Sequence, residues 1–266
     1  MDALHYQTSG DPGKQAIFFL HGFLGDRRDW APIVERLAGG YFCVCVDLPG
    51  HGKSAIAPGA SKLTVIDVTN AFIDVVDELG IDHFSLCGYS MGGRTALYVA
   101  TQFAMRVDHL ILESTTAGIE SAQERAARRV SDATLAKRLT TESFDAFLRE
   151  WYVQPLFDGI DADKARFEAM LARRAEQKPS EVMKSLGVLG QGVFPPLWHE
   201  LYLVTLPAML ITGERDSAYR RTAEAMIAKC PAMEHLTIAD AGHNVHFERP
   251  EAYTQALVSF MARHKV

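Results

Sequence analysis

The sequence predicts an α/β fold in which a mostly parallel, doubly wound sheet carries an inserted helical lid. Strand-like and helical segments alternate from Ala16 to about Glu113, and the same alternation resumes at Leu206. A parallel sheet requires this order, because each crossover between parallel strands is long enough to hold a helix. A long segment without strand-like runs separates the two stretches.

The segment without strand-like runs extends from about Ala117 to Tyr202 and is rich in Arg, Glu and Ala, which favour helices. We interpret it as a lid of several helices, inserted between two strands and covering the crevice at the edge of the sheet. The predicted organisation is therefore a core made of residues 1–116 and 206–266, interrupted by a lid at residues 117–205.

Local patterns predict the individual strands and helices. Short, continuous apolar runs indicate strands buried on both faces of a sheet, and apolar residues at helical spacing indicate helices packed against it. The predicted strands are Ala16–Leu20, a strand around Cys43 and Cys45, Phe84–Cys87, His109–Glu113, Leu206–Thr212 and Glu234–Ile238. The predicted helices around the sheet include Asp67–Leu79, a helix that begins at Met91, and Pro250–His264.

Length and charge fit a soluble enzyme. The chain has 266 residues, enough for one α/β domain with an insertion, and its formal net charge is -6. A negative surface argues against a nucleic-acid partner, and no apolar stretch is long enough to span a membrane. The first residues, Met1–Tyr6, show no basic segment leading into an apolar one, so we expect no signal peptide.

Four cysteines occur without a C-x-x-C pair: Cys43, Cys45, Cys87 and Cys230. The first three lie in predicted buried strands, where a thiol behaves as a small apolar side chain. Together with the lack of a signal peptide, this predicts a cytoplasmic enzyme with reduced thiols.

The most informative motif is G-x-S-x-G at Gly88–Gly92, between a predicted strand and a predicted helix. In this setting it predicts the nucleophile elbow of the α/β-hydrolases, a tight turn without room for Cβ atoms at its two glycines. The turn lifts the hydroxyl of Ser90 above the sheet. It also places the amide of Met91 at a helix start, where an N–H can stabilise a developing oxyanion.

An acid and a base follow Ser90 in the chain order that this fold uses. Asp216 lies in the loop after the predicted strand Leu206–Thr212, and His243 lies in the loop after Glu234–Ile238. Because loops at the carboxyl ends of parallel strands line one crevice, we expect the three side chains to meet there. The sequence thus predicts a catalytic triad of serine, aspartate and histidine.

Other assignments of these polar residues stay open. Glu214 and Asp240 are alternative candidates for the acid, since they lie in the same two loops. His243 and His246 have a spacing that could hold a metal ion, but no third ligand with recognisable spacing accompanies them. We therefore expect neither a metal nor an organic cofactor.

A second oxyanion donor is expected in the loop after the strand Ala16–Leu20. An HG-aromatic turn occupies His21–Phe23 and would present the backbone N–H of Phe23 as the partner of the Met91 amide. His21 is expected to brace this loop rather than to act as a base.

A further segment, Asp47–Ser54, ends in Gly-Lys-Ser like a phosphate-binding P-loop. The P-loop requires a glycine where Asp47 stands, and Pro49 lies inside the loop. The sequence therefore excludes a nucleotide site here, and we expect this segment to shape the wall of the crevice.

Arginines in and near the lid indicate an anionic substrate. Arg94 follows Ser90 by four residues and is expected beneath the crevice, where an unpaired guanidinium is costly unless a ligand carboxylate neutralises it. Arg125, Arg128 and Arg129 share one predicted lid helix, although a solvated position is the ordinary alternative for any one of them. These residues predict a small, negatively charged substrate at a site that uses serine chemistry.

Segments along the whole chain carry a resemblance to one enzyme family. They are Phe19–Phe23, Asp47–Gly52, Gly88–Arg94, Ala122–Arg125, Ser131–Asp132, Trp151–Tyr152, Gln154–Phe157, Gly213–Ser217 and Ala241–Asn244. Arg94 after two glycines and the lid segments are the discriminating ones. In these segments the chain resembles the 2-succinyl-6-hydroxy-2,4-cyclohexadiene-1-carboxylate (SHCHC) synthases of menaquinone biosynthesis, which are lyases with the α/β-hydrolase fold.

The resemblance implies that Arg94, Arg128 and Arg174 bind the carboxylates of a small polycarboxylate substrate. It also implies that Tyr89 and Trp151 belong to the site. The implied reaction eliminates pyruvate from 2-succinyl-5-enolpyruvyl-6-hydroxy-3-cyclohexene-1-carboxylate to give SHCHC, with the triad as general base and no cofactor. A carboxylesterase, thioesterase or C–C bond hydrolase acting on a small anionic substrate is the alternative, because one triad serves many reactions on this fold.

Overall fold

The computed structural model describes residues 3–57 and 63–265. Met1 and Asp2, at the start of the first predicted core range, lie outside the described residues. Val266, at the end of the second core range, also lies outside them. The described residues contain a seven-stranded sheet. Its strands are β1 (Tyr6–Ser9), β2 (Ala16–Leu20), β3 (Phe42–Val46), β4 (Phe84–Tyr89), β5 (Val107–Glu113), β6 (Ala208–Gly213) and β7 (Met233–Ile238).

Ten α-helices accompany the sheet in the described ranges, together with short 3-10 turns such as Arg27–Trp30. The helices are α1 (Ala31–Leu37), α2 (Val65–Glu78), α3 (Met91–Gln102), α4 (Ala122–Thr141), α5 (Phe144–Tyr152), α6 (Lys164–Ala175), α7 (Pro179–Leu189), α8 (Ser217–Ile227), α9 (Val245–Glu248) and α10 (Pro250–Arg263). No helix in residues 3–57 or 63–265 is long and apolar enough to cross a membrane.

The sheet order is β1-β3-β2-β4-β5-β6-β7, and the pairs from β3 to β7 are parallel. This confirms the predicted α/β class and each predicted strand. The sequence analysis missed β1, which pairs antiparallel with β3, from Tyr6 opposite Val46 to Ser9 opposite Cys43. An edge strand with half-exposed side chains needs no apolar run, so its residues give no strand signal.

Side chains of alternate residues in the central strands fill two separate cores, one on each face of the sheet. In β2, Phe18 meets the rings of Phe72 and Phe84 at 5.3 and 5.1 Å between centroids. The next residue, Phe19, points to the opposite face and meets Trp30 at 5.1 Å. Helices α2, α3 and α8 cover the first face, and α1 and α10 cover the second.

Helices α4 to α7 form the predicted lid, inserted between β5 and β6. They have a small apolar core of their own, which includes Leu139, Phe147, Met170 and Leu186. Leu24, from the loop after β2, belongs to the same cluster. The lid is therefore packed onto the loop that follows the second strand.

The turn between β4 and α3 is sterically tight, as the G-x-S-x-G motif predicts. Ser90 has a φ of 50° and a ψ of -105°. A Cβ atom on Gly92 would lie 2.2 Å from the carbonyl oxygen of Leu20, and one on Gly88 would lie 2.4 Å from the carbonyl oxygen of Gly92. Both obstacles are backbone atoms, so neither glycine can be replaced without moving a strand or a helix.

We expect Gly92→Ala to destabilise the protein by at least about 1–3 kcal/mol, because its methyl group would overlap the backbone of β2. Urea unfolding measures this change. Gly187→Ala in α7 is the matched control, since no described atom other than the adjacent backbone of its own helix lies within 4 Å of its Cβ position. The control should be neutral or stabilising by up to about 1 kcal/mol. Equal midpoints for Gly92→Ala and the unaltered protein would contradict the crowding.

Candidate active site

Ser90, Asp216 and His243 come together at the carboxyl edge of the sheet. His243 Nδ1 lies 2.7 Å from Oδ2 of Asp216, and its Nε2 lies 3.4 Å from Oγ of Ser90. The acid and the base are buried, whereas the serine is partly exposed. A carboxylate bonded to Nδ1 selects the tautomer whose Nε2 can accept a proton from the hydroxyl. The arrangement is competent for general-base or nucleophilic chemistry.

The alternative acids do not reach the histidine. Glu214 and Asp240 are both exposed, and the carboxylate of Glu214 accepts a hydrogen bond from the backbone N–H of Asp240 at 3.1 Å. Asp216 also caps α8 by accepting from the backbone N–H of Tyr219 at 3.1 Å. The carboxylate of Asp216 is therefore held by a helix start on one oxygen and by the histidine on the other.

His246 does not join His243 in a metal site, because its imidazole pairs with Glu113 instead. Its Nδ1 lies 2.7 Å from Oε2 of Glu113, and both side chains are buried. Each of the two imidazoles therefore pairs with its own carboxylate: His243 with Asp216 and His246 with Glu113.

The two amides predicted as oxyanion donors belong to residues that border the same cavity. Met91 is the first residue of α3, and Met91 and Phe23 both line the cavity above Ser90. Within the described residues, neither N–H donates to another protein group. A helix start and an adjacent loop amide together form the usual oxyanion hole of this fold.

His21 supports the loop that carries Phe23. The histidine is fully buried, its Nε2 accepts from the backbone N–H of Leu48 at 2.9 Å, and its Nδ1 lies 2.7 Å from the carbonyl oxygen of Gly22. This agrees with the expected bracing role. The segment Asp47–Ser54, expected to shape the crevice wall, contributes no residue to the lining of the cavity above Ser90; its Asp47 accepts from Arg27 and from the backbone N–H of Lys53.

A cavity of about 610 Å³ opens above Ser90, between the sheet edge and the lid. All predicted substrate-binding residues line it: Tyr89, Arg94, Arg128, Trp151 and Arg174. The tyrosine and tryptophan make aromatic walls. The ring of Tyr89 lies 5.4 Å from that of His243, and the ring of Trp151 lies 5.5 Å from that of Phe23.

The Arg94 guanidinium is buried, and no acidic side chain that the structure describes forms an ion pair with it. Its Nη2 donates to the carbonyl oxygen of Leu189 at 3.1 Å, and the ring of Phe194 lies 5.7 Å from the guanidinium carbon. Among the described residues, no carboxylate lies within ion-pair distance of it, and its Nε has no hydrogen-bond partner. Burial lowers the pKa of Arg94 to about 10, which still leaves it charged at neutral pH.

The other two arginines are neutralised to different degrees. Arg128 Nε donates to Oδ1 of Asp132 at 2.7 Å, and about a third of the Arg128 side chain, 36%, is exposed. Arg174 is buried and donates from both terminal nitrogens to the two oxygens of Asp29, at 2.7 Å each. Burial opposes ionisation of Asp29, but Arg174 outweighs it and lowers the pKa of that carboxyl.

The sequence analysis assigned no role to either acidic partner, although Ser131–Asp132 is one of the segments that carry the resemblance. Asp29 lies in no motif and is far from Arg174 along the chain. Tyr219 also lines the cavity, and its ring centroid lies 4.5 Å from that of His243. Its position three residues after the acid, on the first turn of a helix, was the available signal.

Comparisons with known proteins identify the family and confirm the fold. The family described as alpha/beta hydrolase fold matches residues 15–250. The 2-succinyl-6-hydroxy-2,4-cyclohexadiene-1-carboxylate synthase of Salmonella enteritidis PT4 is 34% identical over 261 residues, which cover 97% of this chain and 98% of that protein. Among solved structures, MenH from S. aureus matches with a TM-score of 0.92 at 28% identity, covering 100% of both chains.

A thermophilic esterase from Thermogutta terrifontis, with malate bound, is also similar. It matches with a TM-score of 0.85 at 25% identity, covering 99% of this chain and 94% of that one. Fold, elbow and matching residues define the protein as an enzyme of the α/β-hydrolase class. Within that class, the chain belongs to the SHCHC synthase family, because the similarity to its members extends over nearly the whole sequence.

We expect Asp216→Asn to lower the rate at which a fluorophosphonate probe labels Ser90, by roughly two to four orders of magnitude, because the amide favours the wrong histidine tautomer. Mass spectrometry of the labelled serine measures this rate. Glu214→Gln and Asp240→Asn are the controls, since both side chains are exposed in the neighbouring loops. A strong effect of either control, with Asp216→Asn unaffected, would reassign the acid.

Proposed function

We propose that this enzyme eliminates pyruvate from 2-succinyl-5-enolpyruvyl-6-hydroxy-3-cyclohexene-1-carboxylate to form SHCHC. Family membership supports this substrate. The observation that carries the proposal is the unneutralised Arg94 guanidinium in the same cavity as Ser90. A buried cation without an anionic partner is costly, and a substrate carboxylate would remove that cost.

The proposed substrate has three carboxylates: one on the ring, one at the end of the succinyl group and one on the enolpyruvyl group. Arg94 would offer the strongest attraction, because no acidic side chain in the described part of the chain forms an ion pair with it. Arg128 is opposed by Asp132 and sits nearer to solvent. Each terminal nitrogen of Arg174 gives one N–H to Asp29 and retains another for a ligand. Tyr89 and Trp151 would pack against the ring.

The reaction follows from where the double bonds start and finish. The substrate has a ring double bond at C3 and a leaving group on C5, and the product has double bonds at C2 and C4. A proton must therefore leave C2, its electrons form the C2–C3 bond, the double bond shifts to C4–C5, and the C5–O bond breaks. The enolpyruvyl oxygen leaves with that electron pair, and the released enolate takes up a proton to become pyruvate. No water is consumed.

Ser90 is proposed as the base for the C2 proton. Asp216 fixes the tautomer of His243, and His243 Nε2 draws the proton from the serine hydroxyl, so that the oxygen can accept the ring proton. The succinyl carbonyl is attached to C2, and negative charge develops on its oxygen. The amides of Phe23 and Met91 would stabilise that charge.

Ester hydrolysis is the second candidate function, and one observation favours it. The triad geometry is as suitable for attack on a carbonyl carbon as for proton abstraction, and the similar esterase shows that this fold hosts such chemistry. Turnover of p-nitrophenyl acetate at rates exceeding pyruvate release would favour the hydrolase.

Incubation of the enzyme with the enolpyruvyl substrate should release pyruvate together with diene absorbance, in equal amounts. We expect Ser90→Ala to abolish both signals, because it removes the base, while calorimetric affinity for the substrate stays nearly unchanged. Coupled lactate dehydrogenase measures the pyruvate. Retained turnover in Ser90→Ala would refute the proposed base.

We expect Arg94→Ala to reduce kcat/KM for pyruvate release by roughly 2–4 kcal/mol of transition-state stabilisation, because it removes a desolvated charge from the carboxylate. Steady-state kinetics measure the loss. Arg125→Ala is the matched control: this lid arginine donates to the carbonyl oxygens of Ile119 and Glu120 and does not line the cavity. A few-fold effect at Arg94, equal to that of the control, would give Arg94 a purely structural role.

A further inference from the structure

Glu113 and His246 form a second buried carboxylate–histidine pair behind the proposed triad. Glu113 is the last residue of β5, and neither side chain is more than 1% exposed. Both oxygens of the carboxylate are used by the same residue. Oε1 accepts from the backbone N–H of His246 at 3.1 Å, and Oε2 lies 2.7 Å from its Nδ1.

Glu113 also holds the serine from the other side. Its backbone carbonyl oxygen accepts from the N–H of Ser90 at 2.9 Å. The one residue therefore contacts the turn that carries the nucleophile through its main chain, and the loop that carries the base through its side chain. His246 lies three residues after His243, at the start of α9.

Aromatic packing fixes the His246 ring relative to the site. Trp30 stacks on it at 4.1 Å with an angle of 20° between the planes. The Tyr89 ring lies 5.1 Å from His246 and 5.4 Å from His243, so it contacts both imidazoles. A shift of His246 would therefore be felt by His243 through the short backbone segment and through this ring.

The loop around His243 is tied down at a second point. The N–H of Gly242 donates to the carboxylate of Glu248 at 3.0 Å, and Glu248 pairs with Arg215. Arg215 precedes Asp216, and its backbone N–H donates to the carbonyl oxygen of Ala241 at 2.9 Å. This second clamp joins the base loop to the acid loop, whereas Glu113 joins the base loop to the turn that carries Ser90.

We propose that Glu113 and His246 are positioning residues, which set the distance between Nε2 of His243 and the hydroxyl of Ser90. This inference rests on the proposed function in one respect: it takes Ser90 and His243 as the catalytic pair. The distance of 3.4 Å is at the long end of a hydrogen bond, so small displacements of the base weaken proton transfer steeply. Neither positioning residue lines the cavity, so substrate affinity should not depend on them.

Glu113→Gln and His246→Gln test the proposal. The first keeps the side-chain shape and the main-chain bond to Ser90 but removes the charge, and the second removes the imidazole. His109→Gln is the matched control: His109 is also buried on β5, but at its other end, where it bonds to Ser85 and to the carbonyl oxygen of His264. Two readouts are used, the labelling rate of Ser90 with a fluorophosphonate probe and steady-state pyruvate release.

Both variants should lower the labelling rate and kcat by about tenfold or more, leaving KM within about twofold, since misplacement of a catalytic group costs rate rather than binding. The control should leave both rates unchanged at a comparable loss of unfolding midpoint. Labelling within twofold of the unaltered protein in folded Glu113→Gln or His246→Gln would overturn the proposal. If only one of the two variants folds, that variant decides.

The two readouts separate this inference from the proposed function. Labelling depends on the triad alone, whereas pyruvate release depends on the substrate as well. If the unaltered enzyme is labelled but releases no pyruvate, the elimination fails, and the labelling rates of the variants still decide whether Glu113 and His246 position His243.

Discussion

The arrangement of the site depends on one steric constraint, the turn that carries Ser90. With a φ of 50°, the serine holds a backbone conformation that L-residues adopt at a cost of order 1–3 kcal/mol, and the surrounding structure must supply that energy. It does so through close packing: Gly92 lies against the Leu20 carbonyl and the Ser90 N–H bonds to Glu113. The same turn starts α3, and so it fixes the Met91 amide and the direction in which Arg94 projects.

The three arginines in the cavity differ in how far the protein itself neutralises them, and this difference is a physical basis for orienting a substrate with several carboxylates. Each terminal nitrogen of Arg174 gives one of its N–H groups to Asp29, and Asp132 accepts a hydrogen bond from Nε of the partly exposed Arg128. Within residues 3–57 and 63–265, the partners of the Arg94 guanidinium are a carbonyl oxygen and an aromatic ring. A polyanion entering this cavity would place one carboxylate preferentially on Arg94, so a single binding orientation is favoured over several equivalent ones.

What the sequence could and could not predict follows from the range of the interactions. Local patterns of a few residues predict the strands, the elbow and the three triad residues. The patterns are apolar runs for the strands, glycines for the elbow, and loops after strands for the aspartate and the histidine. The Asp29–Arg174 and Glu113–His246 pairs join residues 145 and 133 positions apart, and neither partner sits in a local motif. Only the folded sheet brings them together. β1 was missed for a different reason: as an edge strand it buries too little surface to require an apolar run in its sequence.

Elimination and hydrolysis would use the same triad, so the position of the bound substrate must decide between them. A serine oxygen attacks a carbonyl carbon if one lies above it, and it removes a proton if a C–H lies there instead. The triad and the oxyanion amides would support either reaction, since both reactions develop negative charge on a carbonyl oxygen. In the proposed function the arginines make this choice, because they would fix carboxylates at set distances from Ser90 and thereby select the substrate atom that reaches it. If the proposed function holds, the choice between the two reactions on this scaffold rests with the cationic wall of the cavity rather than with the nucleophile.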